Sequence, residues 1–271
     1  MKGQLVLFSI CFAISQNSYS QTQNDKNLIL LSIGTSLPVG SFSSTDPSNK
    51  FSGYAKVGET INLSVVHKIN RNIGLVAMLY GQRNGLNTNL LARQFDETGI
   101  YFGNLGSGPN YYPNWMIDKK SWYLESFLLG ITDEFIIKPN GKFSFNVKAL
   151  IGVADVQLPK LNASGKTDTS FATITQNGAS AIGLSYLVSI GLNYKWTKRL
   201  CLIFSTDYFG ASQINFKNVT ESITATNGGL AVPGIYSFSN SRLPPQQISS
   251  TSTNKQPIGS LNVSLGIGIK F

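Results

Sequence analysis

In the last eleven residues of the chain, Leu261, Val263, Leu265, Ile267, Ile269 and Phe271 alternate without a break with Asn262, Ser264, Gly266, Gly268 and Lys270. Side chains on a strand point to opposite faces at every step, so this pattern predicts one continuous apolar face and one small, polar face. Strands of soluble proteins usually run about five or six residues. Crossing a bilayer takes roughly nine to eleven tilted residues, and the terminal segment is long enough. Comparable segments recur at 27–39, 55–68, 73–85, 121–137, 142–157, 181–196 and 200–213, which makes eight with the last. The longest apolar face is Ile182, Leu184, Tyr186, Val188, Ile190, Leu192, Tyr194 and Trp196. Segment 121–137 alternates less cleanly, and a bulge is expected there.

The connections alternate too: 40–54 long, 69–72 short, 86–120 long, 138–141 short, 158–180 long, 197–199 short and 214–256 long. A soluble all-β domain has no reason to lengthen every second connection, whereas outer-membrane barrels have short periplasmic turns and long outer loops. The predicted fold is therefore all-β: an antiparallel up-and-down transmembrane β-barrel of eight strands, in the cell outer membrane. With an even strand number both ends lie in the periplasm, so the first connection is an outer one.

Export is expected from the N-terminus. Lys2 precedes an apolar run from Leu5 to Ile14, and Ser18 and Ser20 flank Tyr19, the pattern of a signal peptide over 1–20 cleaved after Ser20; the barrel domain is then 21–271. Bulky Ile10 before Cys11 departs from a lipobox, so Cys11 leaves with the signal. Cys201 remains as the single cysteine of the mature chain, excluding an internal disulfide. No later stretch has about 18 consecutive apolar residues, which excludes a transmembrane helix. The net charge of +9 is scattered singly along a chain with only 13% charged residues, so a nucleic-acid-binding stripe is not expected.

Turn chemistry suggests two registers. Asn140-Gly141 suits a two-residue type I′ hairpin, which would pair Phe145 with Ile136, Ile151 with Gly130 and Lys148 with Asp133. A three-residue loop Asn70-Arg71-Asn72 would pair Ile69 with Ile73, Leu63 with Leu79 and Glu59 with Arg83. The lumen is expected to receive Asn62, Ser64, Tyr80, Gln82, Asp133, Lys148, Asn193, Lys195 and Asp207, with Asp133 and Lys148 forming an internal ion pair, since buried charges must be paired. Tyr194 and Trp196 at one end, and Trp122, Tyr123 and Tyr208 at the other, suit interfacial girdles. Gly152, Gly183, Gly191, Gly266 and Gly268 lie inside strands, where curvature or close packing explains them better than a phosphate loop. In the outer loops, Leu90 to Phe95 suggests a short helix. Val219–Thr226 and Leu230–Phe238 around Asn227-Gly228-Gly229 suggest a projecting hairpin.

The run Ser32 to Phe42, the start Gly53-Tyr54-Ala55, the export signal ending at Ser20-Gln21 and the terminal Gly266-Ile267-Gly268-Ile269-Lys270-Phe271 resemble the small outer-membrane β-barrel family of OmpA-like and PorT-like barrels. The resemblance covers essentially the whole mature chain and implies a fold and a location. It also implies that Phe271 is the signal read by the barrel assembly machinery. No peptidoglycan-binding domain is seen after the barrel, so cell-wall tethering is not implied.

Three functions remain open. The first is a structural or surface-interaction role, in which loops 86–120 and 214–256 meet an extracellular ligand or envelope protein while the wall contacts outer-membrane lipids. The second is a narrow channel for small or hydrophobic solutes, and the third a lipid-modifying enzyme using Asp207, Glu125 and His67. No catalytic residue stands out: His67, the single histidine, falls beside a periplasmic turn on the outward face. There is no HExxH, CxxC or EF-hand loop, so neither metal nor cofactor is expected, and the chain is not expected to be an enzyme.

Overall fold

The computed structural model describes residues 26–46, 49, 51–97, 101–103, 114–137, 142–166, 171–226, 229–231 and 246–271. The expected signal peptide and the Asn140-Gly141 turn lie outside the described residues. Among the described residues thirteen strands follow in chain order: β1 (Asn27–Pro38), β2 (Ala55–Lys68), β3 (Ile73–Leu86), β4 (Tyr101–Gly103), β5 (Asn114–Ile117), β6 (Ser121–Ile136), β7 (Phe143–Leu158), β8 (Leu161–Lys166), β9 (Phe171–Gln176), β10 (Ala179–Lys195), β11 (Leu200–Thr226), β12 (Gly229–Ala231) and β13 (Gln246–Lys270). The expected helix of the second outer loop spans Thr88–Glu97.

Eight of these strands close into a ring. β1, β2, β3, β6, β7, β10, β11 and β13 pair antiparallel in that order, and β13 pairs back onto β1. Every ring connection joins spatial neighbours, the up-and-down topology expected from the alternating loop lengths. Paired residues trace a path around the wall: Gly74, Thr132, Lys148, Ser189, Asp207, Asn262, Ser36, Gly58 and back to Asn84 on β3. From Gly74 to Asn84 the circuit has advanced ten residues along one strand, the stagger that tilts the strands and lets the sheet close.

The β2–β3 hairpin has the register its turn predicts, with Leu63 opposite Leu79 and Glu59 opposite Arg83. The β6–β7 hairpin does not. Phe135 faces Phe145, Thr132 faces Lys148 and Asp133 faces Val147, one residue away from the pairing that an Asn-Gly two-residue turn would impose. The physical reason is face matching. Even-numbered residues of both strands, Leu124, Ser126 and Leu128 on one and Asn146, Lys148 and Leu150 on the other, point inward. A register pairing even with odd would set the lumen face of one strand beside the lipid face of its neighbour.

Two further corrections concern irregularities. β6 pairs continuously on both sides, without the expected bulge. The breaks fall instead between Ala55 and Gly58 on β2, and between Ala211 and Ile214 and between Phe216 and Val219 on β11. Asn218 sits in the last break with φ 57°, a left-handed conformation that asparagine tolerates better than most residues. Bulges bend a strand and increase its twist, and beyond these two β11 and β13 continue past the barrel as an arm. In the arm Val219–Ala225 pairs with Gln246–Ser252 and Glu221–Thr226 with β9, while residues 232–238 of the expected hairpin lie outside the described residues. β12 pairs with β4. The order β13-β11-β9-β8-β5 extends one sheet from the wall into the outer loops.

Candidate functional site: the lumen and the outer wall

Polarity decides what surrounds this barrel. Ile33, Ile182, Leu265 and Ile267 on the outer wall are 64%, 75%, 65% and 55% exposed, while Ser36, Ser64 and Asn262 inside are fully buried. A soluble barrel buries its apolar residues and shows water the polar ones. Here the outer wall is an apolar belt formed by every ring strand. Its upper edge carries Tyr123 and Tyr208, and its lower edge Phe143, Tyr194 and Trp196, the two aromatic girdles of a membrane barrel. The chain is an outer-membrane β-barrel.

No protein-family model matches the chain, and no curated protein matches it in sequence. Among solved structures it is similar to Neisserial surface protein A, at 10% identity and a TM-score of 0.46, over 91% of this chain and 97% of that one. It is also similar to Ail, the attachment invasion locus protein of Yersinia pestis, at 12% identity and a TM-score of 0.39, over 90% and 99%. A third is the outer membrane protease OmpT from Escherichia coli, at 12% identity and a TM-score of 0.43, over 93% and 99%.

Inside the barrel three layers follow one another. Toward the periplasmic end Lys68 and Glu134 form an ion pair, Ser144 Oγ donates to the same carboxylate, and Asn146 Nδ2 donates to Asn193 Oδ1 at 2.8 Å. In the middle, Ser205 and Ser264 hydroxyls lie 2.8 Å apart, and Lys148, Ser189 and Asp207 are consecutive partners across β7, β10 and β11. Toward the outer end Tyr80 O–H donates to Gln82 Oε1, which also accepts from Ser260 Oγ at 2.9 Å, and Gln82 Nε2 donates to Asn84 Oδ1. Apolar side chains fill the space between these polar groups: Phe209, Leu128 and Leu187 are fully buried, and Phe209 stacks on Tyr80 with ring centroids 4.7 Å apart and planes within 6°. A lumen of eight strands is just wide enough for side chains to fill it.

The expected pair of Asp133 and Lys148 is not formed. Lys148 points into the lumen, but Asp133 belongs to the opposite face of β6 and lies across from Val147. The carboxylate in register with Lys148 is Asp207, two strands away across Ser189. The lumen ion pair that does form, Lys68 with Glu134, went unread in the sequence although even parity on β2 and β6 places both inside. Trp122 is a second correction. It faces inward, donates Nε1–H to Gly53 O at 2.9 Å and packs edge-on against Phe42, so it seals the outer mouth instead of joining the girdle. Asn62, Ser64, Tyr80, Gln82 and Asn193 do lie inside as expected. The strand glycines meet the lumen: a Cβ on Gly191 would sit 2.8 Å from Asn146 Nδ2, and one on Gly268 2.6 Å from Cys201 Sγ.

Asp207, Glu125 and His67 do not converge. Asp207 is in the lumen, Glu125 is on the outer wall, and His67 is exposed at the periplasmic end with Nδ1 2.8 Å from Asn27 Oδ1. Among the described residues no group of three or more His, Cys, Asp or Glu side chains is placed to hold a metal.

Proposed function

We propose that this barrel is a surface-interaction protein, a rigid membrane anchor that presents its outer loops to an extracellular ligand or a neighbouring envelope protein. The carrying observation is the sheet β13-β11-β9-β8-β5, which continues the wall into the outer loops and gives them a hydrogen-bonded frame. One face of that sheet is packed through Trp115, Ala163, Ile174 and Val219. The other carries Asn162, Ser164, Thr173 and Thr175. A rigid scaffold that holds polar side chains in a fixed array is how loops come to carry recognition. The filled lumen weighs against the channel reading, since Phe209, Leu128 and Leu187 occupy the path a solute would take.

Excising the β8–β9 hairpin is expected to leave an inserted, heat-modifiable barrel and to remove the partners that crosslink to the intact protein in outer membranes. Retention of the full partner set by the shortened protein would overturn the reading.

Phe271 is proposed as the residue that the assembly machinery reads. Its backbone N–H donates to Asn27 O at 3.0 Å and its carbonyl accepts from Asn27 N–H at 3.1 Å, so it also closes the β1–β13 seam. Replacing it with alanine keeps both hydrogen bonds and removes the aromatic ring. The expected result is a lower yield of inserted barrel with inner-membrane export unchanged, measured by fractionation and gel mobility.

A further inference from the structure

The periplasmic mouth of the lumen gathers positive charge that the barrel itself does not neutralise. Residues from seven of the eight ring strands line a half-enclosed cavity of about 20 Å³ there, among them Lys68, Lys195, Lys270 and Glu134, with Lys26 just ahead of β1. That is room for one water-sized group. Main-chain hydrogen bonds fix where the lysines start. Lys68 N–H donates to Lys26 O at 2.7 Å, Lys195 N–H to Lys142 O at 2.8 Å and Lys270 N–H to Arg199 O at 2.8 Å.

The carboxylates at this end are too few. Glu134 is already used: Lys68 pairs with it, and Ser144 Oγ and Asn193 Nδ2 donate to it as well. Its neighbour Asp133 lies on the opposite face of β6, across from Val147. The carboxyl group of Phe271 accepts from Asn27 N–H at the seam, at 3.1 Å. Set against the four ammonium groups, Glu134 and Phe271 leave an excess of two positive charges. The ammonium groups of Lys26, Lys195 and Lys270 make no ion pair or hydrogen bond among the described residues. The turns raise the excess further, since they carry Arg71, Lys198 and Arg199 and no described acid. Water can solvate Lys26 and Lys195, which are exposed, but Lys270 is part-buried and shares the cavity with Lys68. Like charges in a half-enclosed site repel one another unless an anion joins them.

We propose that this mouth binds a dianionic phosphate ligand, either free hydrogen phosphate or a doubly charged lipid headgroup of the periplasmic leaflet. Its two charges match the excess. One phosphate oxygen fills the cavity, and the others meet Lys26, Lys195 and Lys270 at the rim. Lysine suits this ligand, because its ammonium is a compact point charge with three donors. A monovalent anion leaves one charge uncompensated, and a neutral solute leaves both. The basic turns steer anions toward the opening.

The test is calorimetric titration of the full-length protein, in phosphatidylcholine nanodiscs, with sodium phosphate at constant ionic strength. Wild type is expected to bind one phosphate saturably. Lys195→Gln and Lys270→Gln are each expected to weaken binding about tenfold, the scale of one charge-assisted hydrogen bond. Lys198→Gln removes the same charge from a turn outside the cavity and is expected to change affinity less than about twofold, since salt screens exposed charges. Heat-modifiable mobility shows that each variant has formed its barrel, and Lys195→Gln carries the test if Lys270→Gln, next to Phe271, fails to insert. Repeating the titration in discs that contain cardiolipin separates the two sources: lost phosphate binding identifies the headgroup as the occupant, and unchanged binding the free anion. Absence of saturable binding in the phosphatidylcholine discs overturns the proposal. An equal loss in Lys198→Gln and Lys195→Gln also overturns it, since overall charge would then be the cause. So does complete displacement of phosphate when chloride replaces gluconate at the same ionic strength. No readout involves the outer loops, so the result is independent of the surface-interaction reading.

Discussion

Replacing Asp207 with alanine is expected to destabilise the barrel by about 3–5 kcal/mol, the usual loss when one member of a buried charge pair is removed and the other is left without compensation. Lys148 is the group left behind. Its residue is 5% exposed, it faces the middle layer of the lumen, and Asp207 is the carboxylate at the same register position two strands away. Ser189 stands between them in the register, so the pair is spread across three strands. Asp133→Ala, on the opposite face of β6, is expected to change stability by less than about 1 kcal/mol through its charge. Urea unfolding in micelles, arranged as two double-mutant cycles with Lys148→Met, separates the alternatives. Coupling should appear between Lys148 and Asp207 and be near zero between Lys148 and Asp133. The reverse result would restore the pairing that the Asn140-Gly141 turn suggested.

Phe209→Ala is expected to cost a similar amount, about 3–5 kcal/mol, for a different reason. Its ring is fully buried in the lumen and stacked on Tyr80, so truncation leaves a cavity that a closed ring of strands cannot collapse to fill. The matched control is Phe204→Ala on the outer face of the same strand, 47% exposed, where lipid fills the vacated space. Its expected loss is clearly smaller. Equal losses at Phe204 and Phe209 in the same urea titration would mean that the lumen is not packed as described. If Phe209→Ala also gave discrete conductance in planar bilayers where wild type gives none, the aromatic layer would be identified as the seal.

Much of the barrel was legible because period-two alternation is a local property. Whether Ile267 points out and Gly266 in follows from backbone geometry alone, and the structure keeps that kind of assignment on the ring strands other than β6, whose alternation is the least clean. The long and short connections were equally legible, since an up-and-down barrel needs them whatever its side chains are. The errors share one origin. The Asn140-Gly141 turn is a local preference of the chain, but the β6–β7 register answers to the whole wall: Leu124 and Lys148 must both point inward, and shifting one strand by a residue would turn every one of its side chains around. That local preference places Asp133 inside, whereas the register of the wall turns it out and turns its neighbour Glu134 in. Trp122 was misread similarly. Its position at a strand end suggested the girdle, and only its even parity on β6 shows that it turns inward to Phe42 and Gly53.

Alternation and spacing along the chain are enough to specify the number of ring strands, their order, which end carries the long loops and which face of most strands meets lipid. Which charges meet inside the lumen depends on the assembled sheet. Lys68 and Glu134 are 66 residues apart in sequence and come together because β2, β3 and β6 are adjacent and in register. Lys148 and Asp207 share one level of the lumen only through the register of β7, β10 and β11. Glu125 comes beside the Glu59–Arg83 hairpin pair because β2, β3 and β6 are consecutive staves of the barrel, and pairing between strands is a property of the sheet that no single segment carries.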